Sequence, residues 1–183
     1  MTQQDTTSQF EEILRRPAQP DGDNLWAFVV LPECASAKLP RRGRTSVEGS
    51  INGHAFLATL EPDGQLSHWL RLNEDLLKTA GLKFGDIARF EIRSVAEEPE
   101  PEIPADLYQA LQAAPAARAV WDDTTPLARL DWIHWVTSAK QAKTRQKRIV
   151  EACDKLSSGQ RRVCCFDPSG YYSKAFCAPK AVD

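Results

Sequence analysis

The sequence predicts an α+β fold in two parts: a small six-stranded β-barrel with one helix, then a compact all-α helical domain and a C-terminal arm. Three observations carry this. The first half consists of short alternating or β-branched runs separated by Gly, Asn, Asp and Pro clusters. The stretch AEEPEPEIP at 96–104 places three prolines and four glutamates in nine residues, a composition that buries little and stays extended. Beyond it the apolar spacing turns helical. The expected boundaries are a barrel at 9–95, a linker at 96–104, a helical domain at 105–162 and an arm at 163–183.

A short strand is expected over 9–15, ended by Pro17 and Pro20 and followed by the turn cluster PDGDN. LWAFVVLP (25–32) is a continuous β-branched and aromatic run and reads as a buried strand. ECASAKLPRRGR is a connection with room for one helical turn. In TSVEGSINGHAFLATL (45–60), Asn52-Gly53 separates two alternating runs and favours a type I′ hairpin turn. Pro62-Asp63-Gly64 gives the next turn. It leads into a strand over 65–73 that places Leu66, His68, Leu70 and Leu72 on one face. Asn73 caps a helix over 74–81 with Gly81 as its terminator, and Ile87, Phe90 and Ile92 belong to the last strand. Six short strands in so few residues suggest a closed or half-closed barrel.

In the second half, helices are expected over 105–114 and 116–123. A third, starting near Pro126 behind a Thr124 or Thr125 cap, carries Leu127, Leu130, Trp132, Ile133, Trp135 and Val136 over more than one face and should form the buried centre of the cluster. The last, over 141–158, is amphipathic. Ala142, Ile149, Ala152, Cys153 and Leu156 make its apolar stripe, with Lys140, Lys143, Lys147 and Lys155 mainly opposite and Gly159 as stop. The tail after it, with a turn at Asp167 to Gly170, is expected as an arm packed on the helices.

Charge points to a function class. The net charge of the 183 residues is only −2, yet residues 1–100 carry 11 basic and 16 acidic side chains (net −5), and residues 101–183 carry 12 and 9 (net +3). Five of the nine residues from Lys140 to Arg148 are Lys or Arg. Such a segment suits an anionic partner: an acidic protein surface, a phosphate-bearing ligand or nucleic acid. It equally suits a solvated helix face on which Arg145 or Arg148 pins carboxylates such as Asp131, or cations that dock one domain on the other. Arg41, Arg42 and Arg44 could extend the surface, although no aromatic residue interleaves with them.

Catalytic and metal signatures are missing. There is no G-x-S-x-G elbow, P-loop or G-x-G-x-x-G. His68 alternates with leucines and His134 lies among tryptophans, both core-like settings, while His54 follows the hairpin turn. Asp122-Asp123 sits at a helix end. Cys164-Cys165 with Cys153, Cys177 or His134 lacks zinc spacing, and five cysteines make no disulfide framework; a reactive thiol beside Arg161 and Arg162 is the remaining option. No cofactor is expected. No apolar run nears the ~20 residues of a membrane span, and the N-terminus lacks a secretory signal, so a cytoplasmic protein is expected.

The segment 102–162, with short Ala- and Pro-punctuated helices, Trp132-Ile133, Ala139-Lys140, Thr144-Arg145 and Arg148-Ile149, resembles the YdeI/OmpD-associated (bacteriocin-protection) family. Residues 9–95 resemble a small β-barrel domain of unknown function that often precedes it, through LWAFVVLP, RRGRTSVEGSINGHAF and Gly85-Asp86, with Leu25 standing where glycine is expected. The resemblance implies a fold and a loose link to bacteriocin or antimicrobial-peptide resistance. The expectation is therefore a cytoplasmic binding or interaction protein, not an enzyme, whose candidate ligand residues are Trp132, Lys140, Thr144, Arg145, Arg148, Arg41, Arg42 and Arg44. The alternative is an enzyme or small-molecule binder using a cleft between barrel and helices.

Overall fold

A computed structural model describes residues 6–163, 167–174 and 176–182. The chain divides into two compact units, Met1–Glu97 with Asp167–Asp183, and Glu98–Phe166.

The first unit is built on an antiparallel sheet of β1 (Ser8–Ile13), β2 (Trp26–Val30), β3 (Thr45–Ile51), β4 (His54–Pro62), β5 (His68–Asn73) and β6 (Ile87–Ser94). The strand order is β1-β6-β3-β4-β5-β2. Asn52 and Gly53 take φ of 47° and 83°, the double positive φ of a type I′ turn, so Ile51 faces His54 and the β3–β4 register follows. Alternation then fills the core. Ala88, Phe90 and Ile92 of β6 and His68, Leu70 and Leu72 of β5 point inward, while Ile87 is 63% exposed. Ala27, Val29, Val47, Ile51 and Leu60 complete the same core.

The sheet is curled into a half-barrel. Past the end of β1, Arg15 and Phe28 of β2 exchange two hydrogen bonds of 2.9 and 3.0 Å, an isolated bridge in place of a ladder. Leu66 departs from the predicted strand: its φ is 70° and its side chain is exposed. The Asp63 carboxylate accepts from the amides of Gln65 and Ser67, both at 2.8 Å, and so winds 63–67 into a turn before β5 begins. One helical turn, α1 (Glu33–Ser36), follows β2. The helix α2 (Glu74–Ala80) is capped by the Asn73 side chain, which accepts from Leu76 N at 2.9 Å, and ends on Gly81 at φ 67°.

The tail corrects the expectation most clearly. Its described residues belong with the sheet, not the helices. Ala18 N donates to Lys180 O at 2.7 Å and Val182 N to Arg16 O at 2.9 Å, around a bridge between Pro17 and Ala181. A side chain at Gly64 would meet Phe176 O at 2.2 Å, and one at Gly43 would meet Pro168 Cβ at 2.8 Å. Only glycine leaves the tail room at these two loops.

The second unit holds α3 (Ala105–Ala113), α4 (Pro115–Asp122), α5 (Pro126–Thr137) and α6 (Ala142–Ser157). Thr125 caps α5 by accepting from Ala128 N at 3.2 Å, with Pro126 in the first turn. The centre is α6, not the tryptophan-rich α5: α6 packs against α3, α4 and α5 in turn. Of α5, only Ala128, Trp132 and Val136 are buried. Ile149, Ala152 and Leu156 of α6 close on Leu107, Leu111, Ala117 and Trp121, each large side chain contributing roughly 1.5–3 kcal/mol. Ala142 is exposed and falls outside the predicted stripe.

Candidate anion-binding surface

The cations of the second unit separate by chemistry. A guanidinium offers five N–H donors in a planar fork, whereas an ammonium is a compact, strongly hydrated charge. The arginines here use that fork to join helices. Arg145 of α6 grips Asp106 of α3 with both arms, Nε to Oδ2 at 2.7 Å and Nη2 to Oδ1 at 3.0 Å. The guanidinium beside Asp106 holds its carboxyl below the usual range. Arg148 donates from Nη1 to Trp135 O at 2.7 Å and Ser138 Oγ at 3.1 Å, closing the C-terminus of α5, and lies over the Trp135 ring at 5.6 Å. Arg161 binds the Asp123 side chain and carbonyl just past α4.

Arg129 performs the largest such task, and nothing in its sequence context signals it. From α5 it donates to Trp121 O at 3.1 Å, Asp122 O at 3.0 Å and Thr124 O at 2.6 Å, and also pairs with Glu100. It thus closes the end of α4, sharing Trp121 O with Thr124 N and Oγ1 and serving the carbonyls of Asp122 and Thr124 itself.

The lysines remain. Lys140 and Lys143 are exposed and take part in no ion pair among the described residues, and Lys147 reaches Glu151 only at 3.8 Å. Lys155 is drawn over the Trp135 ring at 4.7 Å, away from the outward row predicted for it. Lys140 and Lys143 flank the start of α6, where the N-cap residue Gln141 makes no side-chain hydrogen bond and the first turn holds no acidic residue. By contrast α2 starts with an Asn cap, Glu74 and Asp75. The first amides of a helix lack internal partners and carry the positive end of its dipole. Two lysines at an uncapped start therefore make a focus of positive potential.

Of the eight predicted ligand residues, Lys140 lies just before α6 and Thr144, Arg145 and Arg148 lie on it. Thr144 is half-buried. Trp132 is fully buried in the core, edge-to-face with Trp135 at 6.0 Å, and its indole N–H goes to Arg161 O at 3.2 Å. The remaining three arginines lie in the first unit. Arg42 Nη1 donates to Leu66 O at 2.8 Å and Arg41 is exposed. Arg44 is only 7% exposed, pairs with Glu61 at 2.8 Å and stacks on Phe176 at 5.0 Å, so it braces β4 and the tail. Burial pushes the Glu61 carboxyl up, against the opposing pull of Arg44.

The contacts of His68 are structural. Ser36 Oγ and His68 Nδ1 lie 2.7 Å apart and both side chains are buried. The other ring nitrogen, Nε2, sits 2.8 Å from Gly43 O, a pure acceptor, so Nε2 carries the proton and Nδ1 accepts from Ser36. Burial holds the ring below its ordinary pKa and hence neutral, a structural pin. Asp122 pairs with Arg118 at 2.9 Å and Asp123 with Arg161. Burial raises the Cys153 thiol, the reverse of activation, while Cys164 and Cys165 lie outside the described residues. Among the described residues no group of three His, Cys, Asp or Glu side chains is placed to hold a metal ion, and no helix is long and apolar enough to cross a membrane. Concave patches lie on the sheet around Glu48, Gly49, Phe56 and Arg93, and at the start of α3 around Glu102, Pro104 and Tyr108. None of the eight residues lines either.

Comparison with known families assigns both halves. A family described as bacteriocin-protection, YdeI or OmpD-associated matches residues 100–159, and a domain of unknown function, DUF1905, matches residues 10–92. Residues 100–159 are thus similar to the YdeI/OmpD-associated family. The matched segment starts in the linker and ends at Gly159, so it spans α3 to α6 together with Lys140, Lys143 and the bracing arginines. The DUF1905 match runs from β1 into β6 and contains Arg41, Arg42 and Arg44. No curated protein matches the chain.

Proposed function

We propose that this YdeI/OmpD-associated protein is a non-enzymatic, cytoplasmic binding protein that holds an anionic partner at the start of α6. The observation that supports the reading is the uncapped first turn of α6 with Lys140 and Lys143 exposed beside it, while Arg145 and Arg148 are spent on Asp106 and the end of α5. The free amides offer hydrogen bonds to an oxyanion and the two ammonium groups offer charge. Lys147, one turn further along, extends the row. The bacteriocin-protection part of the family description fits a stress-resistance role for such binding.

Titration of the full chain with inorganic polyphosphate over a salt series tests the reading. Binding that weakens steadily with salt is expected, because displaced counterions drive it. An absence of salt-dependent binding at low ionic strength would sink it.

A further inference from the structure

The fold supplies what the sequence around Arg41, Arg42 and Arg44 lacks, namely aromatic rings. Residues 167–174 are brought against residues 41–44, because Gly43 lies under Pro168 and Arg44 stacks on Phe176. This segment is rigidly tied. The Asp167 carboxylate accepts from Ser169 N at 3.1 Å, Ser169 Oγ at 2.7 Å, Tyr172 N at 2.9 Å and Ser173 N at 3.1 Å. What it displays is an aromatic pair: Tyr171 is 42% and Tyr172 84% exposed, packed edge-to-face at 5.2 Å. Lys174 follows, exposed at φ 54°.

The carboxylates nearby are already engaged. Asp167 serves its own loop, Glu61 pairs with Arg44, and Asp63 takes the amides of Gln65 and Ser67. Accepting from neutral N–H groups leaves Asp63 and Asp167 charged, but Arg41, Arg42, Arg44 and Lys174 outnumber Asp63, Glu61 and Asp167, so these residues carry a net positive charge. Exposed tyrosine faces interleaved with cations are the elements that hold unpaired bases and their phosphates. A duplex hides its base faces, and an acidic peptide has none.

We infer that residues 41–44 and 167–174 together form a surface for single-stranded nucleic acid. Tyr172, backed by Tyr171, stacks on a base, while Arg42 and Lys174 hold the flanking phosphates. This surface belongs to the first unit and the start of α6 to the second, and the inference does not rest on the function proposed there.

Fluorescence anisotropy of a fluorescein-labelled oligothymidylate with the full chain tests the inference. The variants are Tyr172→Ala, Tyr172→Phe, Arg42→Gln and Lys140→Glu/Lys143→Glu. Tyr172→Ala should weaken binding roughly 5- to 150-fold, the range for loss of one stacked base. Tyr172→Phe should retain it, and the lysine pair on α6 should leave it unchanged. Duplex DNA and polyglutamate should compete poorly. Absence of oligothymidylate binding, an unaltered Tyr172→Ala variant, equal competition by duplex DNA, or equal competition by polyglutamate would each overturn the inference. The last would point to an acidic protein partner instead. Polyphosphate binding lost only with Lys140→Glu/Lys143→Glu reports on α6 alone, so the two ideas fail separately.

Discussion

Arg129 stands on α5 but completes α4, since three carbonyls at the end of α4 have this guanidinium as donor. Arg129→Ala should orphan the Asp122 and Thr124 carbonyls, while Trp121 O keeps Thr124 N and Oγ1 as donors, and lower stability by about 1–3 kcal/mol, measured by urea unfolding. Arg145 is more exposed, so Arg145→Ala should cost only about 0.5–1.5 kcal/mol, and Arg145→Lys should recover little of it because one ammonium cannot replace a two-armed grip. His68 sets a pH dependence. Its folded pKa lies below the 6.5 of the free side chain, so on acidification the unfolded chain takes up a proton first. Its contribution is complete above about pH 6.5 and is lost as pH falls from there toward the lower folded value. The lowered carboxyls of Asp106 and Asp167, the latter at about 2, add a second loss below about pH 4. Melting temperatures recorded from pH 8 down to 5 should fall for the wild type and flatten for His68→Gln.

At the scale of elements, the glycines separate backbone strain from crowding. Gly53 and Gly64 both have positive φ, but a side chain at Gly53 meets open space while one at Gly64 strikes Phe176 O. Gly53→Ala should therefore cost only about 1 kcal/mol of local strain. Gly64→Ala should in addition loosen the tail, seen as faster hydrogen exchange at residues 176–182. Equal exchange in the two variants would mean the tail does not depend on this contact. The same distinction marks what was legible in the sequence. Asn52-Gly53, Asn73 and Gly81 act on their own neighbours, so the hairpin and α2 could be read directly. Leu66 could not, because alternation continued one step past the point where the Asp63 carboxylate winds the turn. The tail could not either, since its seat at Gly43 and Gly64 lies more than a hundred residues upstream. Counting apolar residues favoured α5 as the centre, but packing is decided by which helix touches three others, and that is α6.

Across the whole molecule, the two compact units carry separate cores, one around Phe90 and Leu70 and the other around Trp121 and Trp132. The charge contrast between the halves was plain in the composition, but the roles of individual cations were not. Asp106 and Arg145 are 39 residues apart and meet only once α3 and α6 have packed. Sequence places Lys140, Arg145 and Arg148 in one basic run; the fold sorts them, with arginines bracing helix ends and lysines left at the uncapped start of α6. That division is tested most directly by charge reversal at the lysines, with polyphosphate affinity and melting temperature measured on the same preparations. Lys140→Glu/Lys143→Glu should lose affinity by at least about tenfold, with a salt slope smaller by roughly 1.5 and a melting temperature near that of the wild type. Arg145→Lys should show the reverse, a lower melting temperature with affinity nearly intact. Unchanged affinity in the lysine variant, or a collapse of its stability, would contradict this division of roles between lysines and arginines.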